Sequence, residues 1–133
     1  KSKIASLNLS TIVTIYDETE NLNKFYMEAD IYLSTSTHEG MSNTIMEALT
    51  YSLPVVCTNA GDSSSLVIDG YNGYLCQTKN VVKISECLHR LITDQTLRID
   101  MSQKAYEHIS NNFSISKSFS KYNELIRKFG VEE

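Results

Sequence analysis

Apolar residues along this chain recur by turns at every second position and at every third or fourth, and each change of period marks a change of element. Ile4, Leu7 and Leu9 read as a helix tail, and Thr11-Ile12-Val13-Thr14-Ile15-Tyr16 as a β-branched strand. Leu22, Phe25, Tyr26 and Ala29 share one helical face. Asp30-Ile31-Tyr32-Leu33-Ser34 is a second strand, and it runs into the polar stretch Thr35-Ser36-Thr37-His38. Ile45, Met46, Ala48 and Leu49 belong to a helix that must end before Pro54, because proline disfavours helix at the residue before it.

Pro54-Val55-Val56-Cys57 is wholly apolar, as a strand buried between two helical layers must be. A polar loop from Gly61 to Ser65 leads into a short helix around Leu66-Val67-Ile68. Asp69-Gly70-Tyr71-Asn72-Gly73 is a turn, and Gly73-Tyr74-Leu75-Cys76 a last small strand. Beyond Asn80 three helical stripes follow: Val81, Ile84, Leu88 and Leu91; Leu97, Met101, Ala105 and Ile109; Phe119, Tyr122, Leu125, Ile126 and Phe129. Strands alternating with helices across short connections predict an α/β fold, a Rossmann-like three-layer domain with a parallel sheet between helices. In such sheets ligands bind outside the carboxyl ends of the strands. That rule points to the loops after Tyr16, Ser34, Cys57 and Cys76.

Composition narrows the picture without changing it. A chain of 133 residues suits one domain with a real core. The net charge of -4 argues against non-specific nucleic-acid binding, which needs a basic surface. Cys57, Cys76 and Cys87 form no CxxC pair and read as buried apolar residues in a reducing compartment, the cytoplasm. No apolar run reaches the ~20 residues of a transmembrane helix. The chain opens Lys1-Ser2-Lys3-Ile4, which reads as a piece of a longer protein.

The chemistry concentrates in Glu39-Gly40-Met41-Ser42-Asn43-Thr44-Ile45-Met46-Glu47. A strand ends, Gly40 permits a tight turn and a close ligand approach, and a helix starts near Ser42 or Asn43. The amides and positive dipole end of that helix make an anion site suited to a diphosphate. Glu39 and Glu47 flank it, and carboxylates accept hydrogen bonds from sugar and ribose hydroxyls. Both acids also have plainer readings. Thr44 to Glu47 fits a capping box, and Glu39 fits a solvated loop acid.

These residues resemble the Glu-x7-Glu signature of bacterial-type family 4 retaining glycosyltransferases of the GT-B fold. The lead-in FYMEADIYLSTSTHE from Phe25 to Glu39, the glycine loop Asn59-Ala60-Gly61 and the turn Asp69 to Leu75 resemble the same family in order and spacing. So do the closing helices, Asp94 to Ala105 and Phe113 to Tyr122. The resemblance implies that residues 1–133 are a nucleotide-sugar donor-binding domain, without its upstream strands and helices and without the amino-terminal acceptor domain. It implies Glu39 as the catalytic residue touching the transferred hexose or N-acetylhexosamine. The backbone of Gly40, Met41, Ser42 and Asn43 would hold the diphosphate, Glu47 the ribose, and the vicinity of Tyr16 and Asp17 the base. It further implies transfer with retention to a glycan or lipid-linked acceptor, as in polysaccharide biosynthesis. No cofactor and no metal are expected, and any peripheral membrane attachment would reside in the missing half. A non-catalytic nucleotide-sugar-binding or protein-interaction module is the alternative.

The chain departs from that pattern in having no Arg and Lys pair for the diphosphate, so the fragment should bind weakly and catalyse nothing. Ser64-Ser65 also stands where the family often has proline–glutamate. His38 reads as a rim residue, His89 and His108 as surface or packing residues, and most of the eight tyrosines as core.

Overall fold

The computed structural model describes residues 2–17 and 21–129. Its elements run α1 (Ser2–Ser6), α2 (Asn23–Glu28), β1 (Tyr32–Ser34), α3 (Asn43–Thr50), β2 (Val55–Thr58), α4 (Ser63–Leu66), β3 (Gly73–Cys76), α5 (Val81–Thr93), α6 (Gln95–Asn112) and α7 (Ile115–Phe129). The three strands pair in chain order, β1-β2-β3, and both pairs are parallel. Leu33 lies opposite Val56, which in turn lies opposite Tyr74. The α/β fold with a parallel sheet between helices is therefore borne out.

The wholly apolar β2 is the middle strand, and all four of its residues are buried. Successive side chains of a strand point to opposite faces. Val55 and Cys57 accordingly pack with Tyr26, Ile45, Leu49, Leu66 and Ile109 on one face. Val56 packs with Tyr74, Cys87, Leu91 and Met101 on the other. Helix α6 serves both layers, since Met101 joins one cluster and Ala105 and Ile109 the other.

Helix α3 ends before Pro54, as expected, but proline is not the device that stops it. Ser52 takes a left-handed φ of 60°, its amide donates to Leu49 and the Leu53 amide donates to Ala48. That pair of bonds is a Schellman motif with serine at the position glycine usually holds. Asn80 and Asp94 cap α5 and α6 through their side chains. The Arg98 guanidinium then satisfies the Leu91 and Ile92 carbonyls at the end of α5.

The expected strand Thr11–Tyr16 does not form. The amides of Ile12 and Val13 both turn back to the Leu9 carbonyl, and Ile12 is 76% exposed. Propensity alone does not make a strand; a ladder partner is required, and among the described residues β1 pairs only with β2. Val81 is likewise exposed, its place on the α5 stripe taken by Cys87. The third stripe forms a helix, yet Phe119, Tyr122, Leu125 and Ile126 lie exposed on it. The side chain of Phe129 lies outside the described residues. Among the tyrosines only Tyr26 and Tyr74 are buried, so most are not core.

All three cysteines are free and buried, as read from their spacing. Burial pushes Cys57 up to about 12 and, with Cys87 beside it, Cys76 up to about 11. Cys57 and Cys76 therefore stay neutral thiols and pack as apolar groups.

Leu49 has no exposed surface, so Leu49→Ala should cost about 2–5 kcal/mol in urea unfolding. The exposed Ile12→Ala should stay within about 0.5 kcal/mol. Equal effects at both positions would contradict this assignment of the core.

Candidate functional site

The loop from β1 to α3 carries Glu39, Gly40 and Met41, and Ser42 caps the helix. Its Oγ accepts from the Ile45 amide at 3.4 Å and lies 3.1 Å from the Thr44 hydroxyl. The helix thus begins at Asn43, where the sequence placed it. The first amides of any helix lack intrahelical acceptors. Those of Asn43 and Thr44 belong to that class, and they stand at the carboxyl edge of the sheet. Gly40, Met41 and Asn43 are exposed, while Glu39 is half-buried.

A second loop fixes the first. Gly61, after β2, has a φ of 54°, and a Cβ built on it would lie 2.0 Å from the Glu39 carbonyl oxygen. The Asp62 amide donates to the Gly40 carbonyl at 3.4 Å, and the Thr58 hydroxyl to the Ser36 carbonyl. The backbones of the two loops are in direct contact, which only a glycine at position 61 allows. At Gly40, by contrast, a Cβ would meet nothing within 4 Å. Gly40 therefore leaves the approach to the helix open, and the steric demand for glycine lies at Gly61.

Glu47 does not close a capping box. Thr44 is already the second residue of α3, and the capping oxygen comes from Ser42. The Glu47 Oε2 instead accepts a hydrogen bond of 3.0 Å from the Tyr26 hydroxyl on α2. Burial, reinforced by the bond to Glu47, raises the Tyr26 phenol well above its usual range, so it remains a donor.

Tyr16 is 65% exposed and sets its ring edge-on to Phe25, with centroids 4.6 Å apart. Phe25, Tyr26, Tyr32 and Thr44 line an apolar groove of about 250 Å³ between α2 and the start of α3. Tyr16 therefore reaches the Glu47 region through α2, while Asp17 is exposed at the end of the described segment. A larger cavity of about 340 Å³ lies at the opposite, amino edge of the strands, between Asp30, Tyr51, Ser52, Arg98 and Ser102. It shares Tyr26 and Ala29 with the apolar groove.

His38 is exposed and pairs with Thr37 at 3.1 Å, as a rim residue would. His108 packs its ring 3.3 Å from the Ser65 carbonyl. Among the described residues no group of three or more His, Cys, Asp or Glu converges as a metal site. No Lys or Arg occurs from Phe25 to Thr78, so the segment offers an anion the partial positive charge of helix-end amides rather than a basic side chain of its own.

Sequence reasoning missed Tyr26 and Gly61 as parts of the site. Tyr26 sat on an apolar stripe, although a buried tyrosine hydroxyl needs a partner and Glu47 was the acid in reach. Gly61 makes a direct prediction. Gly61→Ala should cost about 2 kcal/mol or more in urea unfolding, from the left-handed backbone and the clash with Glu39. A neutral substitution would contradict the contact between the loops.

The profile of the family described as glycosyl transferases group 1 matches residues 1–108. The chain is 31% identical over 108 residues to a poly(glycerol-phosphate) alpha-glucosyltransferase of Bacillus subtilis, covering 80% of this chain and 16% of that protein. It is 26% identical over 127 residues to an uncharacterized glycosyltransferase of Haemophilus influenzae, covering 95% of this chain and 36% of that one. It thus spans well under half the length of these relatives. In structure it superposes on S. aureus TarM, crystallised as a variant with fondaparinux, alpha-GlcNAc-glycerol and UDP. The TM-score is 0.84 at 26% identity, covering 93% of this chain and 25% of TarM. With the parallel sheet, the two locked loops and a profile match over most of its length, this chain belongs to the group 1 glycosyltransferase family.

Proposed function

We propose that this chain binds the donor of a glycosyltransferase, a nucleoside-diphosphate sugar, at the amino end of α3. The observation that carries the reading is the contact of Gly61 with the Glu39 backbone, which fixes the loop that carries this half-buried residue into the open start of α3. TarM, at 26% identity, was crystallised with UDP, which supports a nucleotide as ligand.

On this reading the amides of Gly40, Met41, Ser42 and Asn43 hold the diphosphate, where the helix dipole favours negative charge. Glu47 accepts from the ribose hydroxyls, and Glu39 from the hydroxyls of the sugar being transferred. The base lies toward Tyr16 and Asp17. In the whole protein the sugar, a hexose or N-acetylhexosamine, passes with retention to a glycan or lipid-linked acceptor held outside this chain, and the donor site itself takes no metal. Glu39 is the catalytic residue because it touches the transferred group.

The stretch without Lys or Arg bears on how far this chain acts alone. Helix-end amides stabilise an anion in its ground state, but a leaving diphosphate gains charge in the transition state and needs further positive groups. This chain therefore binds weakly and does not transfer by itself, which also keeps the module reading in play for the isolated domain.

Calorimetric titration separates the two acids. Glu47→Ala should weaken UDP binding roughly tenfold or more, the usual size for losing hydrogen bonds to a charged group. Glu39→Gln should leave UDP unchanged and weaken UDP-sugars. An unchanged affinity in Glu47→Ala would remove the ribose role, and equal losses for UDP and UDP-sugar in Glu39→Gln would remove the sugar role.

A further inference from the structure

Glu47 is an exposed glutamate on the second turn of a short helix, a position where a carboxylate normally samples many rotamers. Here one of its oxygens is tethered. The tether comes from a ring with little freedom: Tyr26 is 6% exposed and stacks on Tyr51 at 5.4 Å and 21°. Tyr32 approaches it at 6.0 Å from β1. The hydroxyl also lies 3.5 Å from the Thr44 carbonyl, on the same helix as Glu47.

We propose that Tyr26 is a positioning residue for the nucleotide ribose, holding Glu47 Oε2 so that Oε1 faces the ribose hydroxyl pair. The inference rests on the donor-site reading above. A carboxylate offers about four acceptor positions, so one phenolic donor leaves enough for two hydroxyls. The phenol has a single proton and spends it on Glu47, so the direction of the bond is set. Packing fixes the ring, the ring fixes the hydroxyl, and the hydroxyl fixes the acid. The arrangement supplies support from outside the contact shell, and it limits the rotamer freedom lost when the ribose binds.

Tyr26→Phe keeps the stacked ring and removes only the tether. Titration of the full chain with UDP and with 2′,3′-dideoxy-UDP distinguishes positioning from packing. The variant should raise the Kd for UDP roughly three- to tenfold and leave that for the dideoxy nucleotide unchanged. In a Glu47→Ala background the same substitution should add nothing. Should Tyr26→Phe fail to fold, Tyr51→Leu serves instead. It removes the ring that Tyr26 stacks on and leaves Glu47 itself unchanged, and the same selective loss is expected. Equal losses for both nucleotides, or additive losses in the double variant, would show a merely structural role and overturn the proposal. If Glu47→Ala weakens UDP while Tyr26→Phe does not, the positioning role fails and the ribose role stands. If Glu47→Ala has no effect, the ribose role itself fails.

Discussion

Strand β2 sits between two parallel neighbours and under two helical layers, and every other feature is positioned through it. Val55 to Cys57 pair with β1 on one side, and Val55 to Thr58 with β3 on the other. That pairing brings the carboxyl ends of all three strands to one edge. It also puts the loop after β2 directly beside the loop after β1, close enough that Gly61 meets Glu39 backbone to backbone. Without the shared edge there would be no reason for a glycine in one loop to govern an acid in the other.

From that edge the segment from Glu39 to Glu47 acquires two anchors of different kinds. The first is steric and works on the backbone, as Gly61 and Asp62 set where Glu39 and Gly40 lie. The second is polar and works on a side chain, as Tyr26 sets where the Glu47 carboxylate lies. Between them runs the start of α3, capped by Ser42 and left open to solvent at Gly40. A rigid rim around an open helix end is the arrangement expected of a site for an extended, charged ligand.

Much of this was legible in the residues because period and burial are directly coupled. The wholly apolar Val55-Val56-Cys57, the Gly73–Cys76 strand and the Met101, Ala105, Ile109 stripe all became core because no other placement buries them. The failures have a common cause, which is that partners are not local. Thr11–Tyr16 has strand propensity but no ladder. The apolar face of α7 has helical period but remains exposed on the described chain. The capping box at Thr44 and Glu47 fits as a pattern, yet it lost to Ser42 by a shift of two residues. Tyr26 and Gly61 lie 21 and 22 residues from the acids they govern, distances that only the fold closes.

The amino end of α3 is where the nucleotide sugar is proposed to bind, and NMR tests that location most directly. Titrating the labelled chain with UDP-glucose and following backbone amides should shift Gly40, Met41, Ser42, Asn43 and Thr44 first and most. Shifts confined to Tyr51, Ser52, Arg98 and Ser102 at the opposite edge, or none at any nucleotide concentration, would contradict it.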